Sequence, residues 1–87
     1  MSDKIKNISI INPITSNNLD DFTRTGFYEY TENMTNRPSS AYNGNMIVIS
    51  GSKYVHQVLL EGNAKIWMRR YDSYSGLWNN WNSVQLS

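Results

Sequence analysis

Short apolar segments separated by polar, glycine-containing turns recur along most of the chain. Strands are predicted at 27–31, 46–50, 53–60, 65–71 and 78–86, where β-branched and aromatic residues dominate. Within most of them apolar or aromatic side chains alternate with other residues, and no segment has the apolar period of a full helix. The pattern predicts a mainly β fold, a small antiparallel β-sheet meander of four to five strands.

One short N-terminal helical turn is predicted at residues 18–22. An asparagine at position 17 or 18 can cap it, and Asp20 and Asp21 suit its positive end. Residues 1–17 are interpreted as a lead-in segment, in which Ile8–Ile11 is either a short strand or part of that lead-in. Residues 18–87 are predicted to form a single domain.

Two structural expectations attach to the first predicted strand and the segment after it. Gly26 precedes that strand and is expected to take a backbone conformation that other residues avoid. Residues 32–45 form a long polar loop, and loops of this length in small domains are often functional.

All three tryptophans lie in the last quarter of the chain. In the strand 65–71, Ile66, Met68 and Arg70 share one face. The other face carries Trp67, Arg69 and Tyr71. Large aromatic residues dominate both cores and interfaces, so these rings form the core, a binding surface or both. Core is favoured for Trp81, whereas Trp78 stays open between core and a stacking platform.

Composition excludes several classes of site. With no cysteine among 87 residues, the chain has no disulfide, no thiolate metal site and no cysteine nucleophile. A net charge of +1 gives no electrostatic footprint for nucleic acid or an anionic membrane. No apolar run is long enough to cross a bilayer, and the first residues carry no signal-peptide core.

The surface chemistry favours neutral polar ligands. Charged residues make up 17% and aromatic residues 13%, and asparagine, serine and threonine take much of the remaining polar share. Amide, hydroxyl and ring groups of this kind suit sugars. An AT-rich genome would explain the same bias in composition equally well.

Catalysis is not predicted. His56 is the only histidine, and neither a nucleophile elbow nor a glycine-rich phosphate loop is present. The acidic residues lie mostly in turns, where they do not form the facing pair that glycoside hydrolysis requires. We therefore expect no enzyme activity, no cofactor and no metal site, with a hard cation held by loops as the one alternative left open.

Two polar residues within apolar strands are predicted to be structural. Gln57 is expected to bond the backbone of a neighbouring loop, because a buried amide needs partners for its donors and its acceptor. Arg69 shares a face with Trp67 and Tyr71, and is expected to stack on a ring or pair with a carboxylate.

The order of these motifs resembles the pyocin knob domain, a family found in tail fibres of R-type pyocins and in bacteriophage receptor-binding proteins. The resemblance covers about residues 18–86 and rests on Leu19-Asp20-Asp21, Thr25-Gly26-Phe27-Tyr28, Pro38, Gly44-Asn45-Met46-Ile47-Val48, Gln57, Ile66-Trp67-Met68-Arg69 and Trp78-Asn79-Asn80-Trp81. The chain departs from the family where Arg37, rather than asparagine, precedes Pro38, and in the loop 72–77.

This resemblance implies a non-catalytic β module of a trimeric tail fibre in the virion. Its implied partner is a bacterial surface polysaccharide, with homotrimer formation in the full fibre and neither nucleic-acid binding nor membrane insertion. It assigns framework roles to the residues that define the pattern: Gly26, Tyr28, Gln57, Arg69, Trp78 and Trp81.

Ligand contacts are predicted at the loops 32–45 and 72–77. The candidate stacking rings are Tyr42, Tyr74 and Trp78, and the candidate polar contacts are Asn43 and Asn79. Two other functions are kept as alternatives: a structural spacer or trimerisation module of the fibre, with its aromatic residues buried, and an accessory glycan-binding domain of a larger cell-wall or capsule hydrolase.

Overall fold

A computed structural model describes residues 11–85, apart from the side chain of Gln85. A 3-10 turn at Leu19–Asp21 precedes six strands: β1 (Gly26–Tyr30), β2 (Gly44–Ser50), β3 (Tyr54–Glu61), β4 (Lys65–Asp72), β5 (Leu77–Trp78) and β6 (Asn82–Gln85). They form one antiparallel sheet in the order β1-β2-β3-β4, with β5 and β6 both paired to β4. The predicted mainly β meander is confirmed.

The predicted helical turn is confirmed as a single turn of 3-10 helix. The Asn18 side chain caps it, because its Oδ1 accepts the Asp20 backbone N–H at 2.9 Å. Of the segment Ile8–Ile11, only Ile11 lies within the described residues, where it forms a parallel bridge with Phe27.

The expectation for Gly26 is wrong. Gly26 lies in β1, and Gly76, with φ 73°, is the glycine with a left-handed backbone. Position 26 instead leaves no room for a side chain, because a Cβ there would lie 2.6 Å from Oδ1 of Asn12. That oxygen also accepts the backbone N–H of Phe27, so the missing side chain lets the lead-in segment approach β1.

One face of the sheet is covered by the 3-10 turn and by the loop between β1 and β2. The strands contribute Tyr28, Tyr30, Met46, Val48, Val55 and Leu59 to this core. The covering segments contribute Leu19, Phe22, Met34, Pro38 and Ala41. Burial of these side chains is the main favourable contribution to stability, since about 25 cal/mol is gained per Å² of apolar surface removed from water.

A hydrogen-bonded framework orders the long loop and joins it to the segment before the 3-10 turn. The Arg37 guanidinium donates to the backbone oxygens of Glu32, Pro38 and Ala41. At the loop's centre, the Thr35 backbone forms a parallel bridge with Asn18. The loop is therefore an ordered cover for the core over much of its length.

A bulge interrupts the last edge strand and decides where the tryptophans lie. Trp78 pairs with Tyr71, and Asn82 pairs with Met68. Three residues, 79–81, thus oppose the two residues 69–70 of β4, which is the count of a β-bulge. In an unbroken strand, residues three apart point to opposite faces. The extra residue instead puts Trp78 and Trp81 on the same, covered face.

The opposite face of the sheet is open. Cross-strand neighbours in one row are Phe27, Ile47, Val58 and Met68, and adjoining rows add Ile49, Leu60, Ile66 and Val84. We call these eight residues the apolar band. Phe27, Ile49, Leu60, Met68 and Val84 are exposed within it. Apolar surface that continues across neighbouring strands is typical of an interaction surface.

Tyr30 lies in the core beneath the loop and is 1% exposed. Its hydroxyl has no hydrogen-bond partner among the described residues. Burial, followed by the charge of Glu61, raises the pKa of Tyr30 to about 12, with a smaller opposing effect of Arg37. The folded protein therefore holds this phenol neutral where the unfolded chain, with a pKa near the ordinary 10, ionises it.

We expect stability to fall between about pH 10 and pH 12 because of Tyr30. In that window the folded state binds a proton that the unfolded state has released, so the loss is about 2–3 kcal/mol when complete. In Tyr30→Phe this contribution is absent, and at neutral pH the variant is as stable as wild type or more so. Urea denaturation of both proteins and of the exposed control Tyr42→Phe measures it. If the free energies of unfolding of wild type and Tyr30→Phe change in parallel with pH, this expectation is contradicted.

Candidate functional site

A buried polar network joins the sheet to the 3-10 turn. The Gln57 Nε2 group donates to the backbone oxygens of Leu19 at 2.7 Å and Phe22 at 2.9 Å. Its Oε1 accepts the Nε–H of Arg69 at 2.8 Å, and Arg69 also donates to Asp20 at 2.8 Å. Gln57 thus bonds the backbone of the covering segment, as predicted, and has no hydrogen-bonding capacity directed at a ligand.

Arg69 lies against both closing tryptophans. Its guanidinium carbon is 4.0 Å from the ring centroid of Trp78 and 4.6 Å from that of Trp81. Burial lowers the pKa of Arg69 from its usual value, while the hydrogen bond and charge of Asp20 act in the opposite direction. The arginine thus links the bulged edge to the core.

The ring of Trp78 is therefore engaged inside the fold. It is half-buried, and besides Arg69 it packs against Tyr71 with ring centroids 5.4 Å apart. Trp81 is likewise half-buried and donates its Nε1–H to the backbone oxygen of Asn36 at 2.9 Å. These contacts fit the framework role that the resemblance assigns to Trp78.

The remaining candidate residues fall into two separate groups. Tyr42 and Asn43 lie beside the start of β2, and Tyr74 and Asn79 lie at the β4–β5 end. The eight residues of β4 separate these ends by about 24 Å at about 3.4 Å per residue. The two predicted loops therefore do not close over one common site at these residues.

The Tyr42 end offers few free groups. Tyr42 is 57% exposed, and a concavity of about 230 Å³ adjoins it and Asn43. The Asn43 side chain accepts the backbone N–H of Glu32 at 3.0 Å. The Glu61 carboxylate in the same concavity accepts from Trp67 Nε1 at 2.8 Å. Both polar side chains are thus already used to hold the turn and the loop.

The Tyr74 end presents an exposed ring on an ordered turn. Tyr74 is 98% exposed, yet its backbone N–H donates to the Asp72 carboxylate at 2.8 Å. The Ser73 N–H donates to the Lys53 backbone oxygen at 2.9 Å, which fixes the turn to the neighbouring hairpin. The backbone of the turn is therefore fixed, while the Tyr74 ring is exposed.

Tyr54 lies in β3 beside this turn and shares a concavity with Tyr74. The concavity measures about 590 Å³, and we call it the tyrosine concavity; its lining residues are Lys53, Tyr54, Asp72, Ser73 and Tyr74. Tyr54 is 39% exposed, and the Arg70 guanidinium lies 4.7 Å from its ring centroid. Two accessible phenol rings thus flank a cation, an anion and a hydroxyl.

A second concavity adjoins the first across the stack of Arg70 on Tyr54. It measures about 280 Å³ and opens on the same sheet face. We call it the donor pocket; the side chains that face it are His56, Met68, Arg70, Asn79 and Asn82. Asn79 therefore belongs to this pocket rather than to a platform around Trp78.

The sequence predictions missed Tyr54, His56 and Arg70 as site residues. Their common face was visible in the alternation of β3 and β4, since Tyr54 and His56 share one face of β3. The alternation alone does not show which of the two faces stays uncovered. One signal did indicate the covered face: Gln57, on the opposite face of β3, was expected to be buried beneath a loop.

The described residues form no metal-ligand cluster and give His56 no acidic partner. Within residues 11–85, no three histidine, cysteine or acidic side chains are grouped so that they could hold a metal ion. His56 has the ring of Tyr54 beside it, with centroids 6.2 Å apart, and no carboxylate partner in the part of the chain that the structure describes. No helix in that part is both long and apolar enough to cross a membrane.

Comparison of the chain with protein-family models, with curated proteins and with solved structures finds no match. The resemblance to the pyocin knob domain therefore stays a prediction from the sequence.

Proposed function

We infer that this domain is a non-catalytic binding module that attaches a phage tail fibre to carbohydrate on the bacterial surface. The observation that carries the binding role is the tyrosine concavity, with Tyr74 98% exposed on a hydrogen-bonded turn. The fibre context, with its virion location and homotrimer, rests on the pyocin knob resemblance alone.

The chemistry of the tyrosine concavity suits a sugar ring. A phenol ring offers an apolar face for the C–H groups of a sugar and a hydroxyl for hydrogen bonding. Lys53 supplies a donor, and Asp72 keeps one carboxylate oxygen beyond the one that Tyr74 uses. Because the backbone of the turn is already ordered, binding loses little backbone conformational entropy there.

Affinity for one domain is expected to be weak. The surface is shallow and exposed, so a dissociation constant in the micromolar to millimolar range is expected. Three copies on one fibre would raise the apparent affinity through effective concentration without new contacts. Binding assays therefore need the domain in trimeric form.

The test is binding of a trimerised domain to a glycan array and to whole bacterial cells. With Tyr54→Ala and Tyr74→Ala combined, retention on the bound glycan or cell should fall about 5- to 150-fold, since each ring contributes roughly 0.5–1.5 kcal/mol. The matched control is Tyr42→Ala, which removes an exposed tyrosine at the other end of the sheet and leaves binding within about twofold.

Two outcomes of this experiment count against the proposal. One is that wild type binds no glycan and no cell. The other is that the double variant binds as well as wild type while remaining folded by circular dichroism.

The apolar band favours a second function, an assembly module of the fibre. Its row of four cross-strand neighbours spans the four strands β1 to β4, and these lie about 14 Å apart from first to last. The exposure of Tyr74 does not fit a pure spacer with buried aromatic residues. A domain that binds no glycan but self-associates through this band would be such an assembly module.

A further inference from the structure

The donor pocket is rich in hydrogen-bond donors that the fold does not use. The Arg70 guanidinium donates no hydrogen bond to any described residue and lies only against the Tyr54 ring. His56 is its direct cross-strand neighbour. Arginine offers five N–H donors and no acceptor, so its open side calls for an anionic or strongly polar oxygen.

The bulge adds amide donors beside this cation. Asn79 accepts the Arg70 backbone N–H through Oδ1 at 2.6 Å, which turns its Nδ2 group away from the strand. That Nδ2 group has no partner among the described residues, and the Nδ2 of Asn82 has a single long contact of 3.4 Å to Asn80. Met68 supplies an apolar floor between them.

Anionic groups near the pocket leave the cation unneutralised. Asp72 is the closest carboxylate along β4, two residues from Arg70 on the same face, and its Oδ1 accepts from Tyr74. No ion pair joins it to Arg70 within residues 11–85, where the salt bridge is the one between Arg69 and Asp20. An exposed guanidinium with adjoining amide donors is a fitting receptor for a bidentate oxyanion.

We propose that the donor pocket binds the anionic group of an acidic sugar, a carboxylate or a phosphate, whose ring lies on the adjoining tyrosine concavity. This proposal rests on the proposed carbohydrate-binding function and narrows it to acidic glycans. Arg70 supplies the positive charge, and its guanidinium packs against the Tyr54 ring. The side chains of Asn79 and Asn82 donate amide hydrogen bonds.

Nuclear magnetic resonance of the labelled domain tests the pocket with small probes. Glucuronate and glucose 6-phosphate carry the two candidate anions, and glucose is the neutral match. We expect an acidic probe to shift the Arg70 Nε–H signal and the side-chain amide signals of Asn79 and Asn82, and glucose to leave them in place. Whichever acidic probe binds more tightly identifies the carboxylate or the phosphate as the preferred group.

The matched variants are Arg70→Gln and Arg24→Gln. Arg70→Gln should lower the affinity for the acidic probe by about tenfold or more, because a charged hydrogen-bond partner is lost. Arg24 lies before β1 and outside the donor pocket, so its variant removes the same charge and leaves the affinity within about twofold. Added salt should weaken binding of the acidic probe to wild type.

The outcomes separate this proposal from the carbohydrate-binding function. Equal shifts by glucose and both acidic probes, or no shift of the three side-chain signals, overturn the anion pocket. If polysaccharide still binds through Tyr54 and Tyr74 in that case, the proposed function stands. Shifts by an acidic probe that disappear in Arg70→Gln support the pocket even if no polysaccharide binds, a result that would remove the broader function alone.

Discussion

Arg69→Met should destabilise the domain by about 2–4 kcal/mol. The substitution keeps much of the side-chain volume but removes the ion pair with Asp20, the hydrogen bond to Gln57 and the contacts with two indole rings. Breaking a fully buried ion pair costs about 3–5 kcal/mol. We expect less here because the Asp20 side chain is 37% exposed and stays hydrated when its partner is lost.

The neighbouring arginine gives the matched control. Arg70→Met makes the same chemical change one residue later, on the open face, and should alter stability by about 0.5 kcal/mol or less. Arg69→Lys should recover only a small part of the loss, because an ammonium cannot lie flat against two rings and donate to both partners. Chemical denaturation measures all three. Equal stabilities for Arg69→Met and Arg70→Met would show that the network contributes nothing.

Gln57→Leu should be at least as damaging, with a loss of about 2–6 kcal/mol. Leucine has a similar size, so packing changes little. However, the backbone oxygen of Phe22 and the Nε–H of Arg69 lose their partner inside the core, and the backbone oxygen of Leu19 keeps only the Phe22 N–H. Each buried group left unsatisfied costs roughly 1–3 kcal/mol. A domain of 87 residues has about 4–13 kcal/mol in total, so partial unfolding at room temperature is expected.

Asn45→Leu is the corresponding control. Asn45 is an exposed amide in β2 on the open face, and its replacement should leave stability within about 0.5 kcal/mol. Combining Gln57→Leu with Arg69→Met should cost clearly less than the sum of the two single changes, because they remove the same hydrogen bond. Strict additivity would contradict the network.

The strands and their faces could be predicted because alternation depends on local sequence. The side chains of Val55, Gln57 and Leu59 follow the period of two, and the structure buries all three. The helical turn could also be predicted, since its cap needs only Asn18 and the backbone two residues on.

The position of Trp78 could not be predicted, because it depends on a register shift. The local sequence from Trp78 to Trp81 does not predict a bulge, and without one the two rings would lie on opposite faces. The bulge is decided by tertiary contacts: Arg69 lies against both rings, and Asn36 accepts from Trp81. A long-range arrangement of this kind has no local signature.

The candidate site was predicted only in part for a related reason. Tyr74 stood out because a polar turn with glycine predicts exposure. Tyr54 and Arg70 come from different strands, and their contact depends on the register between β3 and β4. Which face the loop covers also decides whether these side chains are available, and that choice is made by the whole core rather than by either strand.

The most direct test is a chemical-shift map of the labelled domain with an oligosaccharide released from the surface of bacteria that the trimerised domain binds. The account predicts that the largest shifts fall on the tyrosine concavity, at Lys53, Tyr54, Asp72, Ser73 and Tyr74, and continue into the donor pocket. The signals of Tyr42 and Asn43 should stay in place. Shifts confined to Tyr42 and Asn43, or no shift at any residue, would contradict it.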